Sequence, residues 1–343
     1  MSGIQLALYR KYRPTSFDEV RNQEHVISVL KGAIEKKQVP HALLFTGPRG
    51  TGKTTVARIF AKAVGASDVD TYEIDAASNR SIDDVRELKE AVSTLPYESP
   101  YKVYIVDEVH MLTKEAFNAL LKTLEEPPAH VIFILATTER DKLLDTITSR
   151  CQVFEFHAPT REELRETVIA VAKREKFKLA PHVADVIALS ADGSYRDALG
   201  ITQKVMLASG DRELGEDEVA RIVGAPRSAV LSEVVAALAS KDADRGLRAL
   251  SEAETAHVDM KFFLKLLLER LRAVVLLRNT KDKDALLSRF GDEEGKTLLS
   301  YANDAKSPIN SHLLLRAIEL GGYVGKSFAP TLPIELLLIE QHA

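Results

Sequence analysis

The chain has 343 residues, of which 45% are hydrophobic and 28% charged, with a formal net charge of −4. That length exceeds one ordinary domain and suits two or three, and the balance is that of a folded chain rather than a disordered one. The net charge excludes a protein that coats nucleic acid through a strongly basic surface, so DNA contact must come from a local patch or from oriented backbone amides.

The opening Met1-Ser2-Gly3-Ile4-Gln5 lacks the charged-then-apolar pattern of a secretory signal. The first half alternates β-rich runs with helical patterns. Ala42–Thr46, Tyr72–Asp75, Lys102–Val106, Val131–Ala136 and Val153–Phe156 read as strands, several of them continuously apolar, as strands buried on both faces of a parallel sheet must be. Thr54–Val64, Ser81–Ser93 and Lys114–Leu124 read as the intervening helices. Strand and helix in alternation predict an α/β fold with right-handed crossovers. The lone cysteine, Cys151, cannot build a disulfide framework or a thiolate zinc site within the chain. After Phe156-His157-Ala158-Pro159 the pattern is helical throughout. Thr160 and Glu163 form a capping box that opens a helix to about Phe177, followed by helices over Pro181–Ser190 and Ser194–Ala208. Gly224-Ala225-Pro226 is a natural break. The expected divisions are therefore 1–158, 159–223 and 224–343. The most apolar stretch, Phe262–Leu277, contains Lys265, Glu269, Arg270 and Arg272 and falls short of the ~20 residues a membrane span needs. It reads as a buried helix, and the chain as cytoplasmic with no membrane partner.

Two motifs carry chemistry. Gly47-Pro48-Arg49-Gly50-Thr51-Gly52-Lys53-Thr54 matches the phosphate-loop pattern at every fixed position, after a strand and before a helix. Its glycines let backbone N–H groups converge on phosphates at the positive end of that helix. Lys53 would reach the β- and γ-phosphates of ATP, and Thr54, followed by Thr55, would offer its hydroxyl to magnesium. Val103-Tyr104-Ile105-Val106-Asp107-Glu108 is a buried strand ending in two carboxylates: Asp107 suits the second magnesium ligand, Glu108 the base that polarises the attacking water. Hydrolysis needs further positive charge on the transition state, for which Arg150 and Arg196 are candidates, although spacing alone reads both as exposed, salt-bridged arginines.

Taken with Tyr9-Arg10-Lys11-Tyr12-Arg13-Pro14, Gln23-Glu24-His25, Asp107-Glu108-Val109-His110-Met111-Leu112, Phe117 to Pro128, Ala136-Thr137-Thr138, Ser149-Arg150-Cys151 and Gly193-Ser194-Tyr195-Arg196-Asp197-Ala198-Leu199, these motifs resemble the tau/gamma ATPase family of bacterial DNA polymerase III. The likeness is dense over residues 8–200. It implies an AAA+ module with a parallel five-stranded sheet, a helical lid and an all-α collar that joins subunits into a ring. The ring would contain copies of this chain and delta- and delta-prime-type subunits, and would load a sliding clamp onto primer–template DNA. By position, the resemblance makes Thr138 the sensor of the γ-phosphate, Arg150 the finger inserted into a neighbour's ATP site, and Arg196 the lid arginine. Tyr9, Pro14 and Val20 fall where the family builds its adenine pocket. Arg80, Ser81, Arg140 and Lys142 fall on the face turned to DNA.

Three departures from the family follow. Its four-cysteine zinc module is replaced by the uninterrupted run Ala61 to Asp70, so no zinc is expected. Its Val-Gly-Gln segment reads Val20-Arg21-Asn22-Gln23. The chain stops after the collar, as expected of the short form without the tail that grips polymerase and helicase. A different AAA+ motor, or a non-hydrolysing structural subunit of the same ring, is the alternative. The second would need a broken phosphate loop or a missing Glu108.

Overall fold

The computed structural model describes residues 6–78, 88, 90–281, 283–287 and 289–342. Five strands make one parallel sheet: β1 (Ala42–Thr46), β2 (Thr71–Asp75), β3 (Lys102–Asp107), β4 (Val131–Thr137) and β5 (Gln152–Glu155), side by side in the order β2-β3-β4-β1-β5. Parallel neighbours require crossovers. Helix α2 (Lys53–Ala63) follows β1 and α3 (Lys114–Glu125) follows β3, while α1 (Glu24–Glu35) precedes the sheet.

The apolar runs are buried on both faces because alternate side chains serve two cores. Leu43, Phe45, Val103, Ile105, Ile132 and Ile134 pack with Val26, Leu30, Val56 and Phe60 of α1 and α2. Their alternates Leu44, Tyr104, Val106, Phe133 and Leu135 pack with Phe117, Leu120 and Leu124 of α3. Strand β2 is one of the two edges, opposite β5, and is largely exposed, which explains its mixed composition.

The structure differs from the sequence reading in detail. Helix α1 was not expected. The fifth strand runs Gln152–Glu155 rather than Val153–Phe156: Phe156 still donates its N–H to Thr46 O at 2.7 Å, but the chain then leaves the sheet to meet residues 22 and 23. The stretch after Pro159 is not helical throughout, since Lys178–Leu179 pairs in parallel with Glu213–Leu214. The helix expected over Ser81–Ser93 lies largely outside the described residues, with 88 and 90–92 helical. The capping box forms as expected, Thr160 N–H donating to Glu163 Oε2 at 2.7 Å and Glu163 N–H to Thr160 Oγ1 at 3.2 Å. It opens α4 (Arg161–Arg174), which stops before Phe177 because Lys176 takes φ 63°.

Two compact units result: the stretch up to Leu164 together with Asp192–Leu199, and Arg165–Ala191 together with the chain from Gly200 onward. The longer helices that follow α4 are α5 (Pro181–Ser190), α6 (Tyr195–Ala208), α7 (Glu216–Val223), α8 (Ser228–Ser240), α9 (Ala243–Thr255), α10 (Met260–Asn279), α11 (Asp292–Asn303), α12 (Ser311–Gly321) and α13 (Leu332–His342). The core of the second unit is built around α10, which carries the buried Phe263, Leu267, Leu271, Val274 and Leu277. The charges in that apolar run are accommodated: buried Arg270 donates from Nε to Glu294 Oε1 at 2.6 Å and from Nη1 to Leu266 O at 3.1 Å. Arg278 donates to the carbonyls of Tyr301 and Ala302 at the end of α11, at 3.1 and 3.2 Å, where a helix needs partners for its last carbonyls. Among the described residues no single helix is long and apolar enough to cross a membrane.

Candidate nucleotide site

Because all five strands are parallel, the C-terminal ends of β1, β3 and β4 lie along one edge of the sheet, the place where open α/β sheets bind ligands. From β1 the chain turns through Gly47–Gly52 into α2. Gly47 sits at φ 137° and a Cβ there would run into the Phe156 carbonyl; Gly50 sits at φ 76° and a Cβ would run into Ser194 Oγ. Both positions exclude a side chain by space as well as by dihedral. Thr51 Oγ1 donates to Pro48 O at 2.9 Å, which closes the loop on itself.

Buried Lys53 donates from Nζ to Gly47 O at 2.7 Å and Pro48 O at 2.9 Å. Burial pushes its ammonium below the usual lysine range; Glu108 and Asp107 oppose this, and Arg196 adds to it. A desolvated cation held only by neutral carbonyls gains most from anionic phosphate oxygens. Thr54, half-buried on the first turn of α2 beside half-buried Thr55, donates to Asp107 Oδ2 at 2.8 Å. Those two oxygens form a hard-ligand pair of the kind magnesium uses when it binds through one carboxylate and substrate phosphates, so the residues present fit a magnesium nucleotide.

Glu108, next along the chain, adopts φ 48° and ψ 45°. Its Oε2 accepts from Thr138 Oγ1 at 2.9 Å and from Thr138 N–H at 3.2 Å, joining the ends of β3 and β4. The expected base and the expected sensor therefore touch. Arg196 belongs to the same compact unit: Tyr195 N–H donates to Gly50 O at 3.1 Å, and Asp197 Oδ1 lies 3.6 Å from the Arg49 guanidinium. The Arg196 guanidinium lies 6.0 Å from the Tyr9 ring centroid and that of Arg10 lies 5.8 Å from it. Burial and Arg58 hold Arg13 below its usual range, with Glu73 opposing and Arg196 and Arg10 adding to the effect. Positive charge is thus gathered beside the phosphate loop.

Of the three expected adenine-pocket residues, Tyr9 and Pro14 are half-buried and Val20 packs on the core beneath α1 and α2. The segment after Val20 makes contacts that the sequence reading did not assign. Asn22 takes φ 61° and donates from Nδ2 to Ala158 O at 3.0 Å. Buried Gln23 donates to His157 O at 2.8 Å and accepts His157 N–H at 3.2 Å, and His25 stacks on His157 with centroids 4.4 Å apart. Asparagine is the residue after glycine that tolerates such a left-handed backbone best.

Arg150 stands apart from this cluster. It donates from Nε to Glu125 Oε1 at 2.8 Å and from Nη1 to Thr146 O at 2.6 Å. Its neighbour Cys151 has a thiol that burial pushes up to about 11, so it is protonated and unreactive at neutral pH. Arg140 and Lys142 are exposed on the turn after β4, with Lys142 Nζ at 2.7 Å from Glu139 Oε2. Arg80 and Ser81 lie outside the described residues.

Sheet order, phosphate loop and the paired carboxylates define an AAA+ nucleotide-binding module followed by a largely helical stretch. Residues 22–80 and 65–160 match the family model described as DNA polymerase III, delta subunit. The chain is 38% identical over 309 residues to DNA polymerase III subunit tau of Bacillus subtilis (strain 168), covering 84% of this chain and 55% of that protein. It is 36% identical over 292 residues to subunit tau of Escherichia coli (strain K12), covering 79% of this chain and 45% of that protein. Over that shared region the chain is similar to the tau subunits of DNA polymerase III, and it spans about half the length of the curated relatives it matches. The solved structure of the Thermotoga maritima RuvB Holliday junction branch migration motor matches 65% of this chain and 78% of its own, at a TM-score of 0.53 and 22% identity, a likeness of fold.

Proposed function

We propose that the chain is an ATP-driven motor subunit of a DNA polymerase III clamp loader, opening a sliding clamp and loading it onto primer–template DNA. The observation that carries this reading is the assembly of Lys53, Thr54, Asp107, Glu108 and Thr138 at one edge of the sheet in a chain 38% identical to a tau subunit over 309 residues. Lys53 moves from the loop carbonyls to the β- and γ-phosphates. Thr54 and Asp107 hold magnesium, which when bound neutralises charge on the phosphate oxygens. Glu108 accepts the proton of the attacking water, and Thr138, bonded to Glu108, reports the γ-phosphate position. Arg196 contacts nucleotide in its own subunit. Arg150 completes the site of a neighbouring copy or a delta-type subunit, and the helical stretch is divided into a lid over 159–223 and a ring-forming collar over 224–343. Arg140 and Lys142 contact the DNA backbone, a role that the resemblance also gives to Arg80 and Ser81, outside the described residues.

A structural subunit of the same ring that does not hydrolyse ATP is the second reading, and the match to a delta-subunit model is what favours it. The presence of both Lys53 and Glu108 supports turnover instead. ATP turnover measured with partner subunits, with and without primed DNA and clamp, separates the two. The proposal expects stimulation by DNA and clamp, and expects Glu108→Gln to keep ATP binding while abolishing turnover. Turnover indifferent to DNA and clamp would overturn the clamp-loader reading.

A further inference from the structure

His110 has no role in the assignments above, yet it is among the most constrained side chains near the site. It lies on the single turn Val109–Met111 that Glu108 opens, and its side chain is 5% exposed. Nδ1 lies 2.9 Å from Thr137 Oγ1 and 3.4 Å from Glu108 Oε2, while Nε2 lies 3.3 Å from Glu139 Oε1. A buried imidazole with an oxygen against each nitrogen is oriented by its partners and orients them in return. Those partners are themselves fixed. Thr137 Oγ1 accepts Glu139 N–H at 3.0 Å, and Glu139 Oε2 faces Lys142 Nζ at 2.7 Å.

The consequence falls on Glu108. Its left-handed backbone is costly for any residue but glycine, and such a conformation persists only where the surroundings impose it. Three groups address its Oε2: the Thr138 hydroxyl, the Thr138 N–H and the His110 ring. With Oε2 hydrogen-bonded twice by Thr138 and flanked by the His110 ring, Oε1 remains to take a proton from water. We infer that His110 is a positioning residue for ATP hydrolysis, holding the Glu108 carboxylate in register through its Nδ1 edge and Thr137. This rests on the reading of Glu108 as the base.

The test uses the full chain with its partner subunits, comparing the parent with Glu108→Gln, His110→Ala, His110→Asn and His110→Gln. Asparagine places a polar atom near the Nδ1 position, and glutamine near Nε2. His110→Ala is expected to lower kcat on the order of 10²-fold, the cost of misplacing a reacting group by about an ångström, with ATP Kd unchanged and a melting temperature no lower than that of His110→Gln. His110→Asn recovers roughly tenfold of that loss, and His110→Gln does not. Parent-like turnover in His110→Ala beside an inactive Glu108→Gln overturns the inference alone. Parent-like turnover in Glu108→Gln overturns the base assignment and the inference with it. A joint loss of kcat, affinity and melting temperature in His110→Ala assigns the histidine a structural role and also overturns it, as does recovery by glutamine equal to that by asparagine.

Discussion

Replacing Asp70 with asparagine tests how this chain holds the turn at residues 97–99 against the start of β2. Asp70 is fully buried between α2 and β2. Its Oδ1 accepts Tyr97 N–H at 2.6 Å, and its Oδ2 accepts Glu98 N–H and Ser99 N–H at 3.0 Å each, the Ser99 hydroxyl at 2.5 Å and the Ser67 hydroxyl at 3.3 Å. One carboxylate thus pins the 97–99 turn to the strand edge. Asparagine keeps one acceptor oxygen and turns an NH2 group toward donors. With the oxygen in the Oδ2 position, Tyr97 N–H loses its acceptor, at about 1–3 kcal/mol, and the remaining bonds lose charge assistance, at about 1 kcal/mol more. The expected loss is about 3 kcal/mol. Burial alone would raise the Asp70 pKa, but the Ser99 hydroxyl and the N–H groups of Glu98, Tyr97 and Ser99 outweigh it and hold the carboxyl well below its usual range. A depressed carboxylate contributes its full stability above the unfolded pKa of about 3.9 and loses it as pH falls toward the folded value. Urea unfolding followed by circular dichroism should therefore show a gap of about 3 kcal/mol at pH 7, narrowing by about 1 kcal/mol at pH 3. A variant within about 0.5 kcal/mol of the parent at pH 7, the scatter of neutral surface changes, would refute the clasp.

Two further outcomes are expected. Asn22→Val forces a β-branched residue to positive φ and removes the bond to Ala158, so the first unit should melt earlier, losing about 1–2 kcal/mol by thermal denaturation; an unchanged melt would argue that residue 22 is not held there. Elemental analysis of the purified protein should find no zinc, because the run from Ala61 to Asp70 offers no thiolate; one zinc per chain would send the search to histidine and carboxylate ligands.

What could be read in the sequence follows from how far each signal reaches. Strands β1, β3 and β4 are central and buried on both faces, so their apolar runs were plain. The phosphate loop, the Asp107-Glu108 pair and the Thr160–Glu163 box are each written within eight consecutive residues. Helix α1 escaped notice because Gln23 provides no side-chain cap and spends its amide on His157 instead. Edge strand β2 is legible over Tyr72–Asp75, one residue short of Thr71–Asp75, although little burial marks it. The grouping of Asp192–Leu199 with the phosphate loop depends on contacts between Gly50 and residues 194 and 195, far away along the chain. Asn22 could have been found, since asparagine where a family expects glycine signals a left-handed residue. The clustering of Glu108, His110 and Thr138 could not, because it depends on the backbone turn at Glu108. Nor could the Arg150–Glu125 pair, whose members lie on different elements.

The central claim is that the ATP site is shared between subunits of a ring, and one mixing experiment tests it most directly. Arg150→Ala alone should leave ATP affinity of the isolated chain nearly intact and cut DNA- and clamp-stimulated turnover steeply, by up to the ~10³–10⁵ that arginine fingers contribute. Lys53→Ala alone should abolish tight binding or turnover. In assemblies made from both variants, some interfaces pair an intact phosphate loop from the first with an intact finger from the second. Those interfaces should regain part of the turnover that neither variant shows alone. Mixtures shown by native mass measurement to co-assemble, yet with no recovered turnover, would contradict the shared site and leave Arg150 as the structural partner of Glu125.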